Sequence, residues 1–216
     1  MPEKIVLIGG GGHCKVVSSI ILENNDYKIV GISDVESKLG EEINGIKIRY
    51  TDEQLEDLFK KGVRNAIVTV GSVGKPSLRI RLFERIKEIG FNIPVIVSKS
   101  AIIAEDVVIK EGTVIMPGVI INSGVRIGRN CIINTGAIVD HDCIIGDNVH
   151  IAPGVTLSGG VEVGKNSHVG TGSTIIHYIK IGENTVIGAG SVVVKNIPDN
   201  VIAFGVPAKV RSENSE

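Results

Sequence analysis

From Ser100 to Lys195 the chain runs as sixteen consecutive six-residue units without an insertion, and the fourth residue of every unit is Ile, Val or Leu. No helix has a period of six, because an α-helical face repeats every ~3.6 residues. Two positions before the aliphatic residue stands a small or β-branched one, such as Ala101, Val107, Thr113, Cys131 or Ala137. That is the alternation of a short strand with one face inward. The first position of the unit is Gly, Asn or Asp in fourteen of sixteen cases, as corners between short strands need residues tolerant of positive φ. Strand, corner and aliphatic column together describe a parallel β-helix of hexapeptide turns, in which three hexads make one coil. Such a solenoid must have its edges capped, here by the preceding residues at one end and by residues 196–209 at the other.

The first hundred residues follow a different rhythm. Ile5-Val6-Leu7-Ile8 is a buried-strand pattern, Gly9 to Gly12 a turn, and Lys15 to Asn24 has helical spacing of apolar residues. A second strand, Ile29 to Ile32, ends at Ser33-Asp34 and completes a βαβ unit. Asp52 to Lys61 reads as a helix, Ala66 to Val70 as a strand, Ser77 to Ile89 as a helix and Ile93 to Val97 as a last strand. Alternating strands and helices predict a small, Rossmann-like α/β domain over residues 1–97, with the all-β helix and its cap over residues 98–216.

Composition narrows the function classes. A net charge of −1 gives no electrostatic footprint for nucleic acid or an anionic membrane. No apolar run approaches the ~20 residues that span a bilayer, and the start, Met1-Pro2-Glu3-Lys4-Ile5, lacks the apolar stretch of a signal peptide. The expectation is a soluble cytoplasmic protein. Of the three cysteines, Cys131 and Cys143 occupy the small inward position of their hexads, so packing explains them better than a disulfide or a metal.

A glycine-rich turn between a first strand and a first helix is where an α/β sheet binds phosphate, since bare N–H groups and the helix N-terminus face the anion. Here it is Gly9-Gly10-Gly11-Gly12-His13, and Asp34 stands at the end of the next strand, placed to accept hydrogen bonds from a ribose or base. The dinucleotide fingerprint would put a third glycine where this chain has Cys14. That absence weakens an NAD reading; these glycines could serve a tight turn alone, but four in succession exceed what a turn needs, which favours a nucleotide or nucleotide-linked ligand.

Within the hexads, His141 takes an outward corner position. Alone it reads as a solvated surface histidine, and Asp142 at a first position reads as turn chemistry. Asp140-His141-Asp142 nevertheless places carboxylates beside an imidazole, and an acid that accepts the second ring N–H fixes the tautomer and raises basicity, as a general base requires. Asn134, His150 and His168 are further candidates. The eighteen-residue coil stacks His150 on His168 and sets His177 two coils from His141. Histidines in register can also bind a metal at a subunit interface, as in the carbonic anhydrases that use this fold; no matching third histidine is evident, and no metal is expected.

The βαβ start with Gly-Gly-Gly-Gly-His-Cys-Lys, the segment Ile133 to Cys143, Gly146 to Ile151, and the ending Gly205-Val206-Pro207-Ala208-Lys209 resemble the bacterial sugar acyltransferases of the sialic-acid O-acetyltransferase and nucleotide-4-amino-sugar N-acetyltransferase group. The resemblance implies a left-handed β-helix, a homotrimer, and acetyl-CoA bound as co-substrate between neighbouring helices. It implies His141 as catalytic base and Asp142 as the acid that orients it. It places His150 near the acetyl thioester, Asn134 along the same groove, and the Gly159 N–H at the thioester carbonyl. Gly10, Gly11, Gly12, His13 and Asp34 match the residues that hold the diphosphate and nucleotide. Where the family often has Asp-Asp at the end of the second strand, this chain has Ser33-Asp34. The implied reaction is N-acetylation of the C4 amino group of a UDP- or GDP-linked 4-amino-4,6-dideoxy sugar. O-acetylation of a sialic or other nonulosonic acid is the rival, and a non-catalytic nucleotide-sugar scaffold the alternative outside enzymes.

Overall fold

The unbroken apolar run Ile5 to Ile8 forms an interior strand of a sheet, where a parallel strand is covered on both faces and alternation is lost. In the computed structural model, which describes residues 2–214, the N-terminal unit comprises β1 (Glu3–Ile8), α1 (Gly12–Asn24), β2 (Tyr27–Ser33), β3 (Glu42–Ile43), β4 (Ile46–Tyr50), α2 (Leu55–Lys60), β5 (Asn65–Val68) and α3 (Ser77–Ile89). The strand order is β3-β4-β2-β1-β5, parallel throughout except for the antiparallel β3–β4 hairpin. The hairpin turns at Asn44-Gly45, with φ of 51° and 75°, a residue pair that favours a two-residue hairpin turn. Ser77 to Ile89 is the helix expected, ended by Gly90 in the left-handed region.

The last strand expected of this sheet belongs elsewhere. Ile96–Val97 pair in parallel with Val114–Ile115 and so form the first rung of the β-helix, while Asn92 alone reaches back to bridge Asn65. An apolar run of five carries no mark of which sheet it joins.

Sixteen two-residue strands follow, from Ile102–Ile103 to Val192–Val193, stacked into the three parallel sheets of a left-handed β-helix. Partners are eighteen residues apart, as in Ile120 with Ile138, Ile127 with Ile145 and Ile133 with Ile151. The aliphatic column fills the interior: from Ile115 to Val193 each fourth-position residue is at most 2% exposed. Every hexad from Gly112 to Gly190 opens on a residue of positive φ. At one corner that residue is Asn where Gly would also serve, and side-chain amides explain the choice: Asn130, Asn148, Asn166 and Asn184 each donate to the next asparagine one coil on, ending at Asn200 (2.9–3.0 Å). A hairpin of Val201–Gly205 and Ala208–Glu213 closes the end, its first strand pairing with Val186–Ile187.

Arg79 joins the two units. It is 1% exposed on α3 and donates from Nη1 to the Val68 and Val70 carbonyls (2.9 and 2.7 Å) and from Nε to the Asn130 carbonyl of the β-helix (3.1 Å). Burial pushes its pKa down to about 10, which leaves it cationic at neutral pH. The backbone carbonyls from both units, rather than an acid, stabilise the charge. Arg79→Met would strand these buried acceptors, each worth roughly 1–3 kcal/mol. The variant is expected to melt roughly 6 °C or more below wild type by calorimetry. Arg81→Met, on the exposed side of the same helix, should stay within about 2 °C. Equal melting of the two would show that Arg79 is not the joint.

Candidate active site

Asp142 has φ of 58°, so it does form the corner that its position predicts. Its carboxylate also accepts from His141 Nδ1 at 2.9 Å. One residue therefore closes the turn and orients the ring. Asp140 buttresses the same corner: its Oδ1 accepts from the His141 N–H and from Asn122 Nδ2, both at 2.8 Å. The Asp142 hydrogen bond holds the His141 imidazole above its ordinary pKa, and the Asp140 charge adds to it. With Nδ1 as donor, Nε2 is the basic atom, and it makes no hydrogen bond among the described residues. It lies where a side chain at position 159 would project, so that a methyl group on Gly159 would overlap it. Gly159 itself sits one coil beyond His141, and its N–H has no partner among the described residues.

Asn134 and His150 are brought together, but on a different side of the prism. His150 lies on the sheet that the N-terminal unit covers and is 7% exposed. Its Nδ1 must donate, because its partner is the Ser72 carbonyl; Nε2 then accepts from Asn134 Nδ2 at 3.0 Å. Asn134 Oδ1 accepts from the Thr135 N–H at 2.8 Å, so the amide has a single consistent orientation. Burial pushes His150 down to about 4, leaving it neutral. His168 stacks edge-to-face on it with ring centroids 4.9 Å apart, as the register predicts. Among the described residues no group of three or more His, Cys, Asp or Glu is placed to hold a metal.

The glycine loop borders a cavity of about 340 Å³. Its four glycines differ in why they are glycine. A side chain on Gly9 would strike Val70, and one on Gly10 would strike Ile48 and crowd Asp34. Around Gly11 and Gly12 there is open space, and neither has positive φ. The fold does not need glycine at these two positions. Bare backbone there, at the N-terminus of α1 with no side-chain cap, suits an anion that approaches closely.

Asp34 is tied into the loop. Gly10 N–H (2.6 Å) and Lys38 Nζ (3.0 Å) donate to its Oδ2, and Val35 N–H (2.7 Å) to its Oδ1. Burial alone would raise this carboxyl, but the two N–H donors and Lys38 hold it below its usual value. His13 turns its ring inward. Its Nε2 is buried without a partner among the described residues, and burial, helped by the Arg79 charge, pushes the ring down to about 3. A neutral ring offers a phosphate no charge. Three cavity residues escaped the sequence reading: Lys38, Arg81 and Asp52. Asp52 accepts from Ser33 Oγ at 2.8 Å, so an acid from another segment stands beside the serine at the end of β2. The pattern along the chain could not reveal that pairing.

The cysteines are core residues: burial pushes Cys131 up to about 12 and Cys14 and Cys143 up to about 11, which excludes a thiolate nucleophile. No helix among the described residues is long and apolar enough to cross a membrane.

Comparison with known proteins is consistent along the chain. Residues 4–86 match the PglD N-terminal domain, and residues 106–141, 124–159 and 160–195 match the bacterial transferase hexapeptide, six repeats. The structure is similar to a histidine-to-asparagine mutant of perosamine N-acetyltransferase from Caulobacter crescentus in complex with CoA and GDP-perosamine, with 36% identity, 97% of each chain covered and a TM-score of 0.91. It is similar to the acetyltransferase domain of PglB from Neisseria gonorrhoeae in complex with acetyl coenzyme A, at 31% identity over 98% of this chain and 100% of that one, with a TM-score of 0.89. WeeI from Acinetobacter baumannii, at 24% identity, 97% and 100% coverage and a TM-score of 0.83, shares the fold. No curated protein matches the chain.

NMR titration of the His141 ring is expected to give a pKa above about 6.5 in wild type and a lower one in Asp142→Asn, since the charged acceptor on Nδ1 is gone. An unchanged value would mean that the acid serves the turn alone.

Proposed function

The chain belongs to the hexapeptide-repeat bacterial sugar acyltransferases, the group of nucleotide-4-amino-sugar N-acetyltransferases and sialic-acid O-acetyltransferases, and from that membership we propose how its residues divide the reaction. It is an acetyl-CoA-dependent N-acetyltransferase of a nucleotide-linked 4-amino sugar. The observation that carries this is the 36% identity, over 97% of both chains, with an enzyme named for acetylating perosamine and held in complex with CoA and GDP-perosamine. The glycine loop agrees, because Gly11 and Gly12 are glycine for no structural reason and a diphosphate supplies one. A free nonulosonic acid does not.

The sugar amine enters as an ammonium, which has no lone pair. Neutral His141, held by Asp142 through Nδ1, takes one N–H proton at Nε2. The freed amine attacks the acetyl carbonyl, and the unpartnered Gly159 N–H stabilises the oxyanion of the tetrahedral intermediate, a contact worth roughly 3 kcal/mol in comparable sites. The intermediate collapses with cleavage of the C–S bond; the imidazolium returns its proton to the departing thiolate, and the acidic nitrogen of the nascent amide gives its extra proton to solvent. No covalent enzyme intermediate forms. Gly10 to Gly12 and the start of α1 receive the diphosphate, assisted by Lys38 and Arg81. Asp34 closes the loop from behind, and Asp52 offers a carboxylate to the base. Asn134, fixed by His150, lines the acetyl-CoA groove.

The complete site is assembled between subunits of a homotrimer. His141 stands at the corner between the sheets of Ile138–Val139 and Ile144–Ile145, whereas Asn134 and His150 belong to the sheet under the N-terminal unit. Among the described residues no hydrogen bond joins the two groups within one chain. The two sheets left uncovered carry exposed Ile102, Val108, Ile138 and Ile144, an apolar surface suited to neighbouring copies.

Release of free thiol from acetyl-CoA tests the assignment. We expect it with a GDP- or UDP-linked 4-amino-4,6-dideoxy sugar and not with free sialic acid, reduced roughly 100-fold or more in His141→Ala. The rate should fall as pH drops below the raised His141 pKa, where the base is protonated. Release with sialic acid alone would move the enzyme to O-acetylation, and an unaffected His141→Ala would remove the base.

A further inference from the structure

Tyr178 breaks the rule of its own repeat. At the first position of its hexad, where Gly, Asn or Asp otherwise recurs along the corner-forming units, it adopts φ of 59°. A bulky aromatic residue there is a conformational outlier, and such outliers cluster at functional sites. The ring secures no interior packing in return: the side chain is 71% exposed. Room has been made for it, because a side chain on Gly160 would overlap its ring.

Its place in the coil is informative. Gly159 and Gly160 are consecutive residues of one corner; His141 Nε2 lies over the first and the Tyr178 ring over the second. Backbone hydrogen bonds lock the three levels together, Gly160 N–H to the His141 carbonyl at 2.8 Å and Tyr178 N–H to the Gly159 carbonyl at 3.0 Å. The base and the phenol ring therefore share a two-glycine ledge. The His177 and Tyr178 rings are perpendicular, with centroids 5.5 Å apart, and the Tyr178 side chain stays largely exposed.

We propose that Tyr178 is a specificity-determining residue that receives the acceptor's ammonium group on its ring face beside His141, so that the site favours amines over hydroxyls. This rests on the N-acetyltransferase reading and deepens it. The quadrupole of an aromatic face attracts a cation and has no such attraction for a neutral hydroxyl. An ammonium held there keeps its N–H bonds at the edge of the ledge, where Nε2 of His141 draws one proton and leaves the lone pair for the thioester.

The test uses substitutions that the backbone tolerates. Asn suits φ near 59°, so Tyr178→Asn should melt at or above wild type; a fall of several degrees would make Tyr178 a structural residue and overturn the proposal. Calorimetric titration with a GDP-linked 4-amino-4,6-dideoxy hexose and with its 4-hydroxy analogue, without acetyl-CoA, reads the preference. Wild type and Tyr178→Phe should bind the amine about 5- to 30-fold more tightly, and Tyr178→Asn should lose that preference while holding the hydroxy analogue as before. A preference kept in Tyr178→Asn, or equal weakening of both ligands, overturns the ammonium role. Thiol release separates the two levels of the account. If wild type acetylates no 4-amino sugar, the N-acetyltransferase reading fails and the proposal with it. If wild type acetylates one and Tyr178→Asn does so with unchanged KM, the proposal alone fails.

Discussion

The backbone hydrogen bonds between successive coils govern everything else in this molecule. Ile120 N–H reaches the Ala137 carbonyl at 3.0 Å, Ile138 N–H reaches Val155 at 2.8 Å, and the same step recurs along the solenoid. Because partners are eighteen residues apart, corner residues fall into columns. One column is Ser123, His141, Gly159 and His177; its neighbour is Gly124, Asp142, Gly160 and Tyr178. Distant loops do not converge to make the His141 corner. It is made by register, and a slip of one residue would turn the imidazole inward and the aliphatic column outward.

Register also explains why glycine appears where it does. Gly124 and Gly160 turn corners with positive φ, but each also clears space for a side chain in the next column position, Asp142 and Tyr178 respectively. Gly159 has no positive φ, and its missing side chain serves only to admit the His141 ring and to leave an N–H bare. The second constraint is the joint to the N-terminal unit. Arg79 gathers carbonyls from both sides, and the segment after β5 that it grips runs past the glycine cavity at Val70 and Gly71 before Ser72 meets His150. The glycine-loop cavity and the His150 face of the β-helix are thereby held in one fixed relation.

How much of this could be read along the chain depended on whether the signal was local. Hexad spacing is local, so the strands, the corners, the inward cysteines and the stacking of His150 on His168 were all legible. The His141–Asp142 pair was legible as adjacency, but a turn aspartate and an orienting aspartate look alike until the carboxylate is seen on Nδ1. Tertiary facts were not legible. Nothing in the neighbourhood of Ile96–Val97 tells which sheet it joins, nothing near His150 shows that Ser72 covers it, and Asp52 beside Ser33 depends on how β4 lies against β2. The turn signal at Asn44-Gly45, by contrast, is local. His13 was legible as part of the glycine loop and lines its cavity, but the inward burial that keeps its ring neutral was not.

A crystal structure with CoA and a GDP-linked 4-amino-4,6-dideoxy sugar would test the central claim most directly, since it fixes where the acceptor nitrogen lies. It should place that nitrogen within about 3 Å of His141 Nε2, on the ledge of Gly159 and Gly160, with the CoA sulfur beside it and the diphosphate against Gly11 and Gly12. A sugar whose amine points away from His141, or a diphosphate bound outside the glycine loop, would contradict the account.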